Sequence, residues 1–185
     1  MRELTDDPVY EMLDQRFPEL QLDYMLLSAE ESPAGEAGHK EAVLTALRLM
    51  NRRSRIGNLL VFPPITADPA KMQGKPVDPE RFFAENGTIL REDGVRETPA
   101  PGEMCYWAAF FDPPYGVPYN KTDFYLLNAA LFPIPLKKDP LQIMSWSGDF
   151  TNYFDQGNEW WGTALWSIYD PLMQRYVIIG ASLTD

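Results

Sequence analysis

At 185 residues, with 45% hydrophobic and 23% charged side chains, the chain is long enough to bury roughly 70% of its unfolded surface around one core, and its composition, ordinary but for an aromatic excess, argues against disorder over most of its length. Its formal charge of −11 repels polyanions, which counts against general nucleic-acid binding. No window reaches the roughly twenty apolar residues needed to cross a bilayer, and the first eight residues do not read as a secretory signal. Cys105 is the single cysteine. It permits no intrachain disulfide and reads as a small buried hydrophobe, so a reducing cytoplasm is the expected compartment.

Asp7-Pro8 is a helix start, a capping acid followed by proline at the first helical position, and Val9, Met12, Leu13 and Phe17 then recur at helical spacing over 8–16. Residues 20–27 begin in strict alternation and end fully apolar, which predicts a strand entering the core. The acidic stretch 30–38, with Pro33, Gly35 and Gly38, predicts a loop. The longest helix follows at 39–54, its Val43, Leu44, Leu47 and Met50 on the face expected to cover one side of a sheet. Arg48, Arg52, Arg53 and Arg55 gather at its end. Cations are favourable at a helix C-terminus, and Gly57 or Asn58 would cap it, a simpler account than a phosphate site.

Residues 58–62 predict a short buried strand stopped by Pro63-Pro64, and 63–79, with five prolines, a loop crossing the surface. Asp78-Pro79 starts a two-turn helix ending at Asn86-Gly87. Asp93-Gly94 is the turn of an exposed hairpin over 88–98 whose charges blunt a sheet edge. The apolar run 104–111 predicts a buried strand that Asp112-Pro113-Pro114 ends. Residues 122–131 fit a helix capped by Thr122 better than a strand, although the periodicity admits both. Residues 141–146 predict a strand, and 161–169 with 176–181 an antiparallel hairpin rich in aromatic and β-branched residues. Locally paired strands with early helices define an α+β domain spanning 1–185, a mainly antiparallel sheet ending in a C-terminal β-hairpin and backed by one or two helices.

The chemistry is restricted by what is missing from the sequence. His39 is the single histidine, predicted as a solvated residue at a helix mouth, so a Cys105–His39 or Ser–His nucleophile has little basis. One Cys and one His cannot supply a structural zinc set. Neither phosphate-cradling glycine motif occurs, and no cofactor is expected.

The acids and indoles of 146–161 stand out. Asp149, Asn152, Asp155, Asn158 and Glu159 have the composition of a calcium loop without its spacing. A helical turn over 149–154 would project Asp149, Asn152 and Asp155 into one sector. If 158–162 is extended, Trp160 and Trp161 lie on opposite faces, and only one enters a core. Tryptophan beside acids is typical of binding hot spots. The expected function is therefore a non-catalytic interaction protein of inhibitor or immunity type. Its recognition residues would be Trp146, Asp149, Asn152, Asp155, Asn158, Glu159, Trp160 and Trp161, with Tyr115 and Tyr119 beside them and a basic protein as partner. The alternative is a small glycan hydrolase using Asp149, Asp155 and Glu159 as acid, base or nucleophile, which requires two carboxyl groups roughly 5 to 10 Å apart in a cleft.

Overall fold

The C-terminal hairpin forms the spine of the computed structural model, which describes residues 1–29, 35–53, 55–56, 59–60, 63–133, 141–155, 157 and 162–182. The helices are α1 (Pro8–Arg16), α2 (Gly35–Arg53), α3 (Pro79–Phe83), α4 (Tyr106–Phe111) and α5 (Lys121–Leu131). The strands are β1 (Asp23–Ser28), β2 (Arg55–Ile56), β3 (Leu59–Leu60), β4 (Gly74–Val77), β5 (Ile89–Leu90), β6 (Arg96–Glu97), β7 (Gln142–Trp146), β8 (Thr163–Asp170) and β9 (Arg175–Ser182). Five of them form one antiparallel sheet in the order β1-β9-β8-β7-β4. The α+β class, the antiparallel sheet and the C-terminal hairpin agree with the sequence reading. Asp170 closes the hairpin by accepting the amides of Leu172 and Met173, 3.0 Å each.

Both faces of this sheet are covered. An antiparallel sheet commonly leaves one face wet, but in β9 all residues from Arg175 to Ala181 are buried. Tyr176 and Ile178 point into a layer with Ala42, Val43, Ala46 and Leu47 of α2. Val177, Ile179 and Ala181 point the other way, into a layer with Val9 of α1, Phe82 of α3, Phe110 of α4 and Phe124 of α5. Each such valine, leucine or isoleucine side chain contributes about 1.5–3 kcal/mol by leaving water. Aromatic rings bind the second layer together: Phe82 stacks on Tyr106 at 4.8 Å, and Trp166 meets Phe82 edge-on at 5.6 Å.

Several elements depart from the sequence reading. The run 104–111 is a helix rather than a strand: α4 is opened by the Cys105 sulfur, which accepts the Ala108 amide at 3.4 Å, and its rings pack against α3 and α5. A continuous apolar run has no periodicity to separate a strand from a buried helix. Asn120, not Thr122, caps α5, in a capping box with Asp123. The proline-rich stretch contains an edge strand, β4. Leu59–Leu60 pairs with Arg55–Ile56 rather than joining the main sheet, and the expected caps Gly57 and Asn58 lie outside the described residues. His39 is not solvated; it is 1% exposed.

Candidate functional site

The segment after β7 is anchored before it is exposed. Trp146 is a core residue: its ring is 5% exposed, and its indole N–H donates to Ser167 Oγ at 2.9 Å. Gly74 on the neighbouring strand makes room for it, since a Cβ there would lie 2.9 Å from the indole and 2.6 Å from Met144. Phe150 and Phe154 drop into the same layer. Thr151 opens a short 3-10 turn over Asn152–Phe154 by accepting the Tyr153 amide. Asp149 and Asp155 are left on the outside.

Asn152 does not join them in an acidic sector, because its amide is turned to the proline-rich strap. Its Oδ1 accepts from the Thr66 amide at 2.6 Å and its Nδ2 donates to the Pro64 carbonyl at 3.1 Å. Asn51 of α2 holds the other side of the strap, accepting from the Ile65 amide and donating to the Ile65 carbonyl, both at 2.7 Å. Two asparagine side chains thus replace the strand partners that this loop lacks, satisfying backbone groups that would otherwise be unpaired. A bridge between Ala67 and Thr151 and an Asp68 amide bond to the Phe150 carbonyl complete the attachment. Asn158, Glu159, Trp160 and Trp161 lie outside the described residues.

Tyr153 reaches back across the sheet to β1, where its hydroxyl donates to Asp23 Oδ2 at 2.7 Å. Burial around this carboxyl raises its pKa, opposed by the Tyr153 hydrogen bond and the Arg53 charge. Of the two tyrosines expected beside the site, Tyr119 is built into the fold, accepting the Glu19 amide and packing on Phe17. Tyr115 is 85% exposed at φ +71° in a turn closed by the Gly116 amide on the Pro113 carbonyl.

The structure adds one constellation that the sequence reading missed. His39 Nδ1 and Ser167 Oγ are 2.8 Å apart, the spacing of a base and its nucleophile. Ser167 is 0% exposed, however, and also receives the Trp146 N–H. A substrate has no path to the hydroxyl, so the trio is a buried polar network. Burial lowers the His39 pKa to about 4, partly offset by its bond to Ser167, and keeps the ring neutral near pH 7. The signal was present in sequence: His39, Ala42, Val43, Ala46 and Leu47 recur as one helical stripe.

Concavities formed by described residues include one of about 410 Å³ beside β4, one of about 300 Å³ between α2 and the strap, and one of about 30 Å³ beside Cys105. Neither Asp149 nor Asp155 lines any of them. No group of three or more His, Cys, Asp or Glu among the described residues is placed to hold a metal ion, and none of their helices is long and apolar enough to cross a membrane. The chain matches no known protein family, no curated protein and no solved structure.

Proposed function

We propose that the chain is a non-catalytic, cytoplasmic binding protein of inhibitor or immunity type, which meets a basic protein through the outer side of the 146–161 segment. One observation supports this above others: among the described residues of the segment, Asp149 and Asp155 are exposed while the larger side chains beside them are committed to the scaffold. Phe150 and Phe154 are buried, Asn152 grips the strap and Trp146 is core. A loop anchored on its inner side loses little conformational entropy on association, and outward carboxylates accelerate encounter with a cationic surface. Glycan hydrolysis gains no comparable support, because it needs two carboxylates converging in a cleft.

The test is chemical crosslinking of the untagged chain in its native cells, followed by mass spectrometry and purification of the crosslinked partner. The expected partner is a basic protein crosslinked near 146–161. Its affinity should fall with salt and by about tenfold or more in an Asp149→Lys, Asp155→Lys double variant that keeps the wild-type melting temperature. A partner bound at another face, or indifferent to charge reversal, would overturn the proposal.

A further inference from the structure

The cleft of about 410 Å³ beside β4 is within the size range of small-ligand sites, roughly 300–1,000 Å³, and charged side chains dominate its walls. Lys75 and Val77 come from β4, Asp78 and Arg81 from the start of α3, Arg91 and Glu97 from the β5–β6 hairpin. The acids are tied to the chain, Asp78 by both oxygens and Glu97 and Glu103 by Oε2. Asp78 Oδ1 caps α3 through the Glu80 amide, while its Oδ2 faces Arg91 at 3.4 Å. Glu97 Oε2 accepts from Arg91 at 2.8 Å. Glu103, also on the wall, accepts the Ala100 amide and a long contact from Arg81.

The cations too use only part of their hydrogen-bonding capacity among the described residues. Arg91 makes both of its contacts through Nη2, and Arg81 uses Nη2 alone for the Thr98 carbonyl and Glu103. Each guanidinium carries five N–H donors in a planar fork. Lys75 is exposed and forms no ion pair among the described residues. The alternation of β4 places Lys75 on the same face as Val77, which packs toward the helical layer at the cleft floor. The cleft sets three cations against three carboxylates, and its open guanidinium N–H groups, with the Lys75 ammonium beside them, have the forked geometry that matches a carboxylate or phosphoryl group.

We propose that this cleft binds an oxyanion, the carboxylate or phosphoryl group of a small ligand, between Lys75, Arg81 and Arg91. The bound group takes the open guanidinium donors and the Lys75 ammonium and competes with Glu97 for Arg91. This site is distinct from the 146–161 segment, and its test does not depend on a protein partner.

The test titrates the purified chain with inorganic phosphate and, separately, with citrate, against sodium chloride of equal ionic strength. Melting temperature and amide chemical shifts are followed together. Either anion should raise the melting temperature with concentration and shift the amides around Lys75, Arg81 and Arg91. Lys75→Ala, which removes no ion pair among the described residues, should weaken binding about tenfold, and Glu97→Gln should strengthen it by freeing Arg91. A response to phosphate alone identifies a phosphoryl ligand, and one to citrate alone a polycarboxylate. Lack of response to both anions, or an unchanged response in Lys75→Ala, overturns the proposal.

Discussion

His39 and Ser167 are 128 positions apart in sequence, yet their Nδ1 and Oγ atoms lie 2.8 Å apart inside the layer that joins α2 to the sheet. The three polar groups are satisfied together when the Ser167 hydroxyl donates to a neutral Nδ1 and its oxygen accepts the Trp146 N–H. Protonating His39 would place two donors and a buried charge against one oxygen. The folded ring binds its proton only near pH 4, whereas the unfolded ring binds it near 6.5. Between those values the unfolded state holds more protons, so stability is full above about pH 6.5 and declines as pH falls toward 4. The slope approaches about 1.4 kcal/mol per pH unit. Urea unfolding at pH 7.5, 6 and 5 should show this decline, and His39→Gln should flatten it. Parallel profiles for the two proteins would refute the assignment.

Removing the shared oxygen is more damaging than removing the histidine's charge. Ser167→Ala leaves the buried Trp146 N–H and His39 Nδ1 without their partner, at a cost of about 2–4 kcal/mol. Ser167→Thr retains the hydroxyl but adds a methyl group in a fully buried position, and should cost less. Guanidinium unfolding of the two variants gives the order directly, and Trp fluorescence should report the loss at Trp146 in the first.

The strap provides a second, independent test. Asn51→Ala and Asn152→Ala each release two hydrogen bonds to the backbone of 64–66, and each should cost about 1–3 kcal/mol. Hydrogen exchange separates them. The Ile65 amide loses protection in the first variant and the Thr66 amide in the second. If both amides exchange at the wild-type rate, the asparagines do not hold the strap.

Elements whose pattern is local were legible in the sequence: the Asp7-Pro8 start of α1, Val43 and Leu47 on the buried face of α2, the Asp93-Gly94 turn and the β8–β9 hairpin all appear where the residues place them, although α2 begins at Gly35, inside the stretch read as a loop. What was not legible depends on which faces are covered. In β8 the adjacent Leu165 and Trp166 are both buried, on opposite sides, because α2 and the α1, α3, α4 and α5 layer enclose the sheet. The same enclosure turned Trp146 inward and hid His39. Asn152 looked like a ligand because its real partners, the backbone groups of Pro64 and Thr66, are 88 and 86 residues away and carry no side-chain signature.

Gly180 illustrates a constraint imposed from across the sheet. A Cβ there would run into the Tyr153 hydroxyl and lie 3.0 Å from its Cζ, so Gly180→Ala must displace the ring that bonds Asp23. The expected loss is about 1–3 kcal/mol, typical of overpacking. Tyr153→Leu gives up the hydrogen bond but removes the obstructing ring. Gly180→Ala should therefore cost distinctly less in a Tyr153→Leu background than alone, a coupling that a double-mutant cycle measures. Additive losses would show that the obstruction lies elsewhere.

The ion pair between Asp7 and Arg175 should respond asymmetrically to losing one side or the other. Arg175 is 3% exposed on β9, and its Nη1 meets Asp7 Oδ2 at 2.6 Å while Nη2 bonds the Leu131 carbonyl at the end of α5. Asp7 Oδ1 meanwhile caps α1 through the Val9 amide at 3.0 Å. One carboxylate thus anchors the first helix, the last helix and the last strand through a single guanidinium. Asp7→Ala strips the cap and leaves a buried cation unpaired, a loss of about 3–5 kcal/mol. Arg175→Met fills similar volume, leaves Asp7 to its capping role, and should cost less than the first variant. Unfolding by guanidinium decides the order, and equal losses would mean that the pair, rather than the stranded charge, dominates this corner of the fold.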